Sequence, residues 1–214
     1  MKRILTLALA ALIVFTLAAC GDAQSAATPE PAATPDATQN VTEAVTATET
    51  PETAGASSIH IAYFSWSGNT EAVAGMLQSE TGGELFEIAP AEAYTEDYDA
   101  LLDIARDEQS SGARPTLANT VDNWEDYDVV FVGFPNWWSD APMAVYTFLE
   151  SYDWTGKTLV PFNTSSSGGF GRSLDGIAES AAGATIPEGI ALTEGELADA
   201  QNAVTEWLAA LELN

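Results

Sequence analysis

Cysteine is nearly absent from this chain: Cys20 is the only one in 214 residues. No disulfide can close within one molecule, and nothing after residue 20 offers a thiolate ligand or a cysteine nucleophile. Histidine is equally scarce. His60 is the single copy, so a histidine-based metal centre lacks ligands, and a serine hydrolase relay would depend on this one residue as its base. It opens a short apolar run, far from the loop that follows it, and the expectation is a partly exposed strand histidine. Basic residues are few as well, with six Lys and Arg against 32 Asp and Glu and a formal net charge of −26. A field of that sign disfavours nucleic acid and anionic headgroups. It serves solubility, and it also suits steering toward a basic partner. Carboxylates such as Asp97, Asp99 and Asp103 are the remaining candidates for a hard cation; they read as a solvated helix face, and no metal site is assigned.

Long apolar runs are missing apart from one, Ile4 to Ala19, which is shorter than the roughly 20 residues a spanning helix requires. It follows Lys2 and Arg3 and ends in Leu17-Ala18-Ala19-Cys20, the layout of an export signal. That ending resembles the bacterial lipobox, which implies that Cys20 is lipidated and holds the mature chain on the extracytoplasmic side of the cell membrane. An ordinary signal peptide and an uncleaved anchor are the alternatives. Residues 21–58 are rich in Ala, Thr, Pro and Glu, have no Lys or Arg, and show no hydrophobic period. Such a composition does not bury enough surface to offset its conformational entropy, so the segment reads as a disordered tether.

Organisation begins at Ile59. Ile59 to Phe64 reads as a strand, Ser65 to Thr70 as a loop and Glu71 to Gln78 as a helix. Glu84 to Ile88 alternates like an edge strand. Tyr94 to Arg114 carries Tyr98, Leu101, Leu102 and Ala105 at helical spacing among acids. Val129 to Phe134 is apolar throughout, the pattern of a central strand buried on both faces. A loop follows, with Asp140 as candidate cap for a helix from Ala141 to Leu149. Thr158 to Asn163 is the next strand despite Pro161. A Ser/Gly loop, a helix over 172–181, a strand over 185–192 interrupted by a proline, and an amphipathic helix over 194–211 complete the chain. This βα alternation over 59–214 predicts one doubly wound parallel sheet, with ligands at the carboxyl ends of its strands.

Three loops would leave those ends. Ser65-Trp66-Ser67-Gly68-Asn69-Thr70 offers hydroxyls, an amide and the unpaired N–H groups of a helix start, a setting that suits a phosphate without Lys or Arg; a simple capped turn is the bland alternative. Pro135-Asn136-Trp137-Trp138 places two indoles at the ligand edge, one of which could stack on a planar ring for about 0.5–1.5 kcal/mol beyond its area burial. Thr164-Ser165-Ser166-Ser167-Gly168-Gly169 supplies small hydroxyls and close backbone approach.

These segments, with Ala141 to Glu150 and Pro161 to Ser165, resemble the short-chain, flavodoxin-like branch of the flavodoxin family across nearly all of 59–214. The resemblance implies a three-layer α/β/α fold with a five-stranded sheet in the order 2-1-3-4-5. It implies FMN as cofactor, with its phosphate on Ser65, Ser67, Gly68, Asn69 and Thr70. The ring would then lie between Pro135, Asn136, Trp137 and Trp138 on one side and Thr164, Ser165, Gly168 and Gly169 on the other. No side chain need act as nucleophile or base. The implied function is electron transfer to a redox partner protein or a small-molecule acceptor. An FMN-dependent reductase of quinones or similar molecules, and a binding module that has lost its flavin, are the alternatives. Low-molecular-weight phosphatases share the architecture but need a loop cysteine, which this domain lacks.

Overall fold

The computed structural model describes residues 58–167, 169–211 and 213. The signal, lipidation and tether assignments on 1–57 lie outside the described residues, as does Gly168.

Five strands alternate with five helices. In chain order they are β1 (Ile59–Tyr63), α1 (Asn69–Thr81), β2 (Glu84–Glu87), α2 (Tyr98–Ser111), β3 (Val129–Pro135), α3 (Met143–Glu150), β4 (Thr158–Ser165), α4 (Ser173–Ser180), β5 (Ile190–Thr193) and α5 (Ala200–Ala210). All strand pairs are parallel and the sheet order is β2-β1-β3-β4-β5, with β2 at an edge and β3 in the centre.

The side-chain period of two explains why β3 reads as apolar throughout. Val129 and Phe131 face α1 and α5, joined by Ile61, Tyr63, Val160 and Phe162 from its neighbours. Val130, Val132 and Phe134 face α3 and α4, joined by Ala62, Phe64 and Leu159. Each such side chain, fully buried, contributes about 1.5–3 kcal/mol.

Pro161 is tolerated in an inner strand for a local reason. Leu159 donates its N–H to Thr185 on the β5 side, so the missing N–H of Pro161 falls on that same side. There β5 has not yet begun: Thr185 makes an isolated bridge, and regular pairing starts at Ile190 opposite Phe162. The last strand is therefore shorter than the 185–192 expectation.

Other boundaries shift for reasons of capping. Helix α2 starts at Tyr98, not 94, because the Asp97 carboxylate accepts the Ala100 N–H at 2.9 Å, and it stops at Gly112, whose φ of 62° is left-handed. Asp140 does not cap α3, which starts at Met143 behind Pro142. Its Oδ1 takes the Ala141 N–H and the Tyr146 hydroxyl, and its Oδ2 takes Arg172 Nε at 2.7 Å, so the carboxylate pins the start of α4 instead. Toward the C-terminus a 3₁₀ turn, Leu197–Asp199, replaces the first turn expected of the last helix. His60 is not partly exposed: its side chain is buried between Tyr127 and Phe86, and neither ring nitrogen has a hydrogen-bond partner among the described residues.

Candidate functional site

The loops that leave β1, β3 and β4 open onto one cleft of about 530 Å³ at the carboxyl edge of the sheet. Of the residues expected there, Ser67, Asn69, Pro135, Asn136, Trp137, Trp138, Thr164 and Ser165 line it. Ser65, Gly68, Thr70 and Gly169 stand behind this lining and support it. The Ser65 hydroxyl accepts the Gly68 N–H at 3.1 Å, and the Thr70 and Thr164 hydroxyls meet at 2.8 Å, tying the first loop to the third. The Gly169 carbonyl accepts from Asn136 Nδ2 at 2.9 Å, tying the third to the second.

Helix α1 starts at Asn69 behind Gly68, whose φ of 86° is left-handed, and no side chain caps it. Its first N–H groups and the positive end of its dipole are thus left at the edge where Ser67 and Asn69 meet the cleft. Among the described residues no Lys or Arg lines the cleft, and Glu194 is its one charged side chain.

The second loop is a tight reversal. Trp137 and Asp140 exchange backbone hydrogen bonds at 2.8 and 3.0 Å, and the two residues between them, Trp138 and Ser139, have φ of 51° and 62°. This is the primed turn geometry that favours Asn or Gly, here made from Trp and Ser. The left-handed backbone costs roughly 1–2 kcal/mol at a residue with a Cβ. Ser139→Gly removes that strain but adds about 0.4–1 kcal/mol of unfolded-chain entropy. A net stabilisation of about 0.5–1 kcal/mol is expected, read as a higher urea midpoint.

That turn sends its two indoles in different directions. Trp137 packs inward, with its ring edge-on to Phe64 at 5.3 Å and to Tyr94 at 5.2 Å. Trp138 stays 42% exposed, donates Nε1–H to the Leu102 carbonyl at 3.0 Å and carries the Arg106 guanidinium 4.2 Å over its ring.

Sequence reasoning missed one side of the cleft. Tyr98, Leu101, Leu102 and Ala105 of α2 line it, as does Trp66, whose Nε1 donates to the Thr95 carbonyl at 2.9 Å. The helical spacing of the α2 residues was visible; what they face was not. On the far flank of α2, burial raises the Glu108 carboxyl above the usual range, partly offset by the Tyr94 hydroxyl that donates to it at 2.7 Å. Burial likewise drives the Tyr94 phenol upward, with Glu108 adding to the effect.

Among the described residues no cluster of three or more His, Cys, Asp or Glu is placed to hold a metal ion, and no helix is long and apolar enough to cross a membrane.

Fold and cleft together define a doubly wound α/β protein with a helix start that no side chain caps and an aromatic mouth at its topological switch point. The model of the flavodoxin family matches residues 58–211. A candidate flavoprotein from Bacteroides eggerthii is 31% identical with a TM-score of 0.64, over 74% of this chain and 99% of that one. Another from Bacteroides uniformis is 30% identical with a TM-score of 0.64, over 72% and 98%. A flavoprotein in complex with FMN from Lactobacillus acidophilus is 25% identical with a TM-score of 0.55, over 67% and 98%. No curated protein matches. The chain belongs to the flavodoxin family.

Proposed function

We propose that the folded domain binds FMN in this cleft and works as an electron-transfer flavoprotein, tethered through a lipid on Cys20 outside the cytoplasmic membrane. The observation that carries the reading is the uncapped start of α1 behind a left-handed glycine, set among Ser and Asn side chains at the end of an aromatic cleft. That donor set fits a phosphate dianion, which needs several N–H and O–H donors and gains from the helix dipole.

Ser65, Ser67, Gly68, Asn69 and Thr70 would hold the phosphate. Pro135, Asn136, Thr164, Ser165, Gly168 and Gly169 would border the ring. Trp138 is the better stacking surface of the paired indoles, because it is the more exposed, although Arg106 already lies over its ring, whereas Trp137 is turned inward against Phe64 and Tyr94. Bound FMN supplies one- and two-electron redox chemistry. The chain's own contribution is electrostatic: among the described residues Glu194 is the charged group on the lining and disfavours negative charge on a reduced ring, while Arg106, 4.2 Å over the Trp138 ring, acts in the opposite sense from outside the lining. The acidic chain suits a basic redox partner protein. The apolar wall formed by Leu101, Leu102 and Tyr98 favours a second reading, an FMN-dependent reductase of quinones or other small molecules.

Titrating the protein into FMN and following flavin fluorescence tests the reading. Quenching with a defined endpoint is expected. Gly68→Val should weaken affinity at least tenfold, about 1.4 kcal/mol, because a β-branched residue resists the left-handed φ and turns the loop N–H groups away. A well-folded protein without flavin affinity would sink the proposal.

A further inference from the structure

Helix α2 is built into the molecule differently from its counterparts. Helices α1, α3, α4 and α5 bury side chains in the two apolar layers that sandwich the sheet. The two buried residues of α2, Leu101 and Ala105, belong to neither layer; they line the cofactor cleft. On the opposite flank Ile104 and Glu108 line a second cleft, of about 760 Å³. The helix therefore borders two clefts, and with two buried side chains against the six of α3 it has less apolar packing to give up on opening.

Besides the buried Leu101 and Ala105, what fastens its inner flank is polar, and it converges on one turn. Trp138 donates Nε1–H to the Leu102 carbonyl at 3.0 Å, Gln109 donates Nε2–H to the Trp137 carbonyl at 2.6 Å, and Arg106 lies 4.2 Å over the Trp138 ring. All three land on the reversal whose Trp138 and Ser139 hold left-handed backbone. Water can replace each contact, unlike a packed apolar face. The helix is bounded by the Asp97 cap at one end and left-handed Gly112 at the other.

We propose that α2 is a hinged cover on the cleft, latched to the Trp137–Asp140 turn by Arg106 and Gln109, and that it must swing away for the cofactor to enter or leave. The cofactor part rests on the FMN reading above; the motion of the helix does not.

The test uses the full chain and the double variant Arg106→Ala/Gln109→Ala. Neither residue lines the cleft, so the variant loses the latch and keeps the lining. In hydrogen exchange without flavin, amides of α2 should exchange at least tenfold faster than those of α3, and the variant should speed α2 a further threefold or more while leaving α3 and β3 unchanged. In stopped-flow mixing with FMN, association and dissociation rates should both rise at least threefold with Kd within twofold. A helix as protected as α3 overturns the proposal. So does a faster dissociation with unchanged association, which is the signature of a lost contact and not of an opened cover. If FMN does not bind at all, the FMN reading fails and the exchange result alone decides whether α2 is a cover.

Discussion

Gly133→Ala is expected to destabilise the domain by about 3 kcal/mol or more, against the 5–15 kcal/mol typical of a whole domain. Gly133 sits in the central strand, paired with Tyr63 on one side and Phe162 on the other. A Cβ there would come 2.0, 2.2 and 2.6 Å from three atoms of the Phe162 ring. That ring is fully buried in the layer under α1 and α5, so it has nowhere to move without disturbing Val160, Leu192 and Val204. Backbone freedom is not the issue at this glycine; volume is. The measurement is the urea midpoint at constant m-value, and a loss below about 1 kcal/mol would contradict the packing argument. A second variant separates this from a general intolerance of the strand. Phe162→Leu removes the ring, so Gly133→Ala should cost far less in that background, and the double-mutant cycle should show strong positive coupling. The consequence reaches the cleft, because Gly133 lies two residues before Pro135, where β3 ends, and four before Trp137, where the reversal begins.

The sheet was legible because its signals are local and redundant. An apolar run such as Val129–Phe134 has one good solution, a strand covered on both faces, and the alternating Glu84–Glu87 segment reads as an edge. The three cleft loops were legible for a similar reason: turn residues directly after strands fall at one end of a parallel sheet. Boundaries that depend on a partner elsewhere were not. Asp140 has the chemistry of a cap, but Tyr146 and Arg172, six and 32 residues away, claim its carboxylate. Thr185 joins β4 by a single bridge, and the proline-containing stretch before Ile190 delays the rest of the strand. The α2 wall was invisible for a deeper reason. Apolar residues at helical spacing look the same whether they bury against a sheet or against loops, so Leu101 and Ala105 gave the helix without its position. Nor could a lone strand histidine announce the inward orientation that its register against Glu84 and Val130 imposes.

That histidine carries the other large effect. His60 is buried without a partner for either nitrogen among the described residues, and burial pushes its pKa down from the ordinary 6.5 to about 4, with Glu84 pulling the other way. The charged and titratable groups around it are few. Glu84 on β2 accepts from the Tyr127 phenol at 2.6 Å, and the Lys157 ammonium before β4 is turned to the Trp124 and Tyr127 carbonyls. None of these hydrogen-bonds the imidazole. The unfolded chain, whose histidine titrates near 6.5, binds a proton that the folded chain refuses until about pH 4. The stabilisation tied to the neutral ring is therefore complete above about pH 6.5 and is lost progressively as pH falls toward 4. From the shift of about 2.5 units the loss is about 2 kcal/mol by pH 5 and about 3 kcal/mol in all. Glu108 works in the opposite sense, since its raised pKa lets the folded state take a proton more readily. Because His60 is the only histidine in the chain, His60→Leu isolates its share while leaving Glu108 in place. Urea midpoints of the wild type should fall markedly between pH 7.5 and 5, and those of the variant by less than a quarter as much. Parallel profiles for the two proteins would mean that the buried ring does not govern acid sensitivity, and that the orphaned nitrogens find a proton acceptor on folding after all.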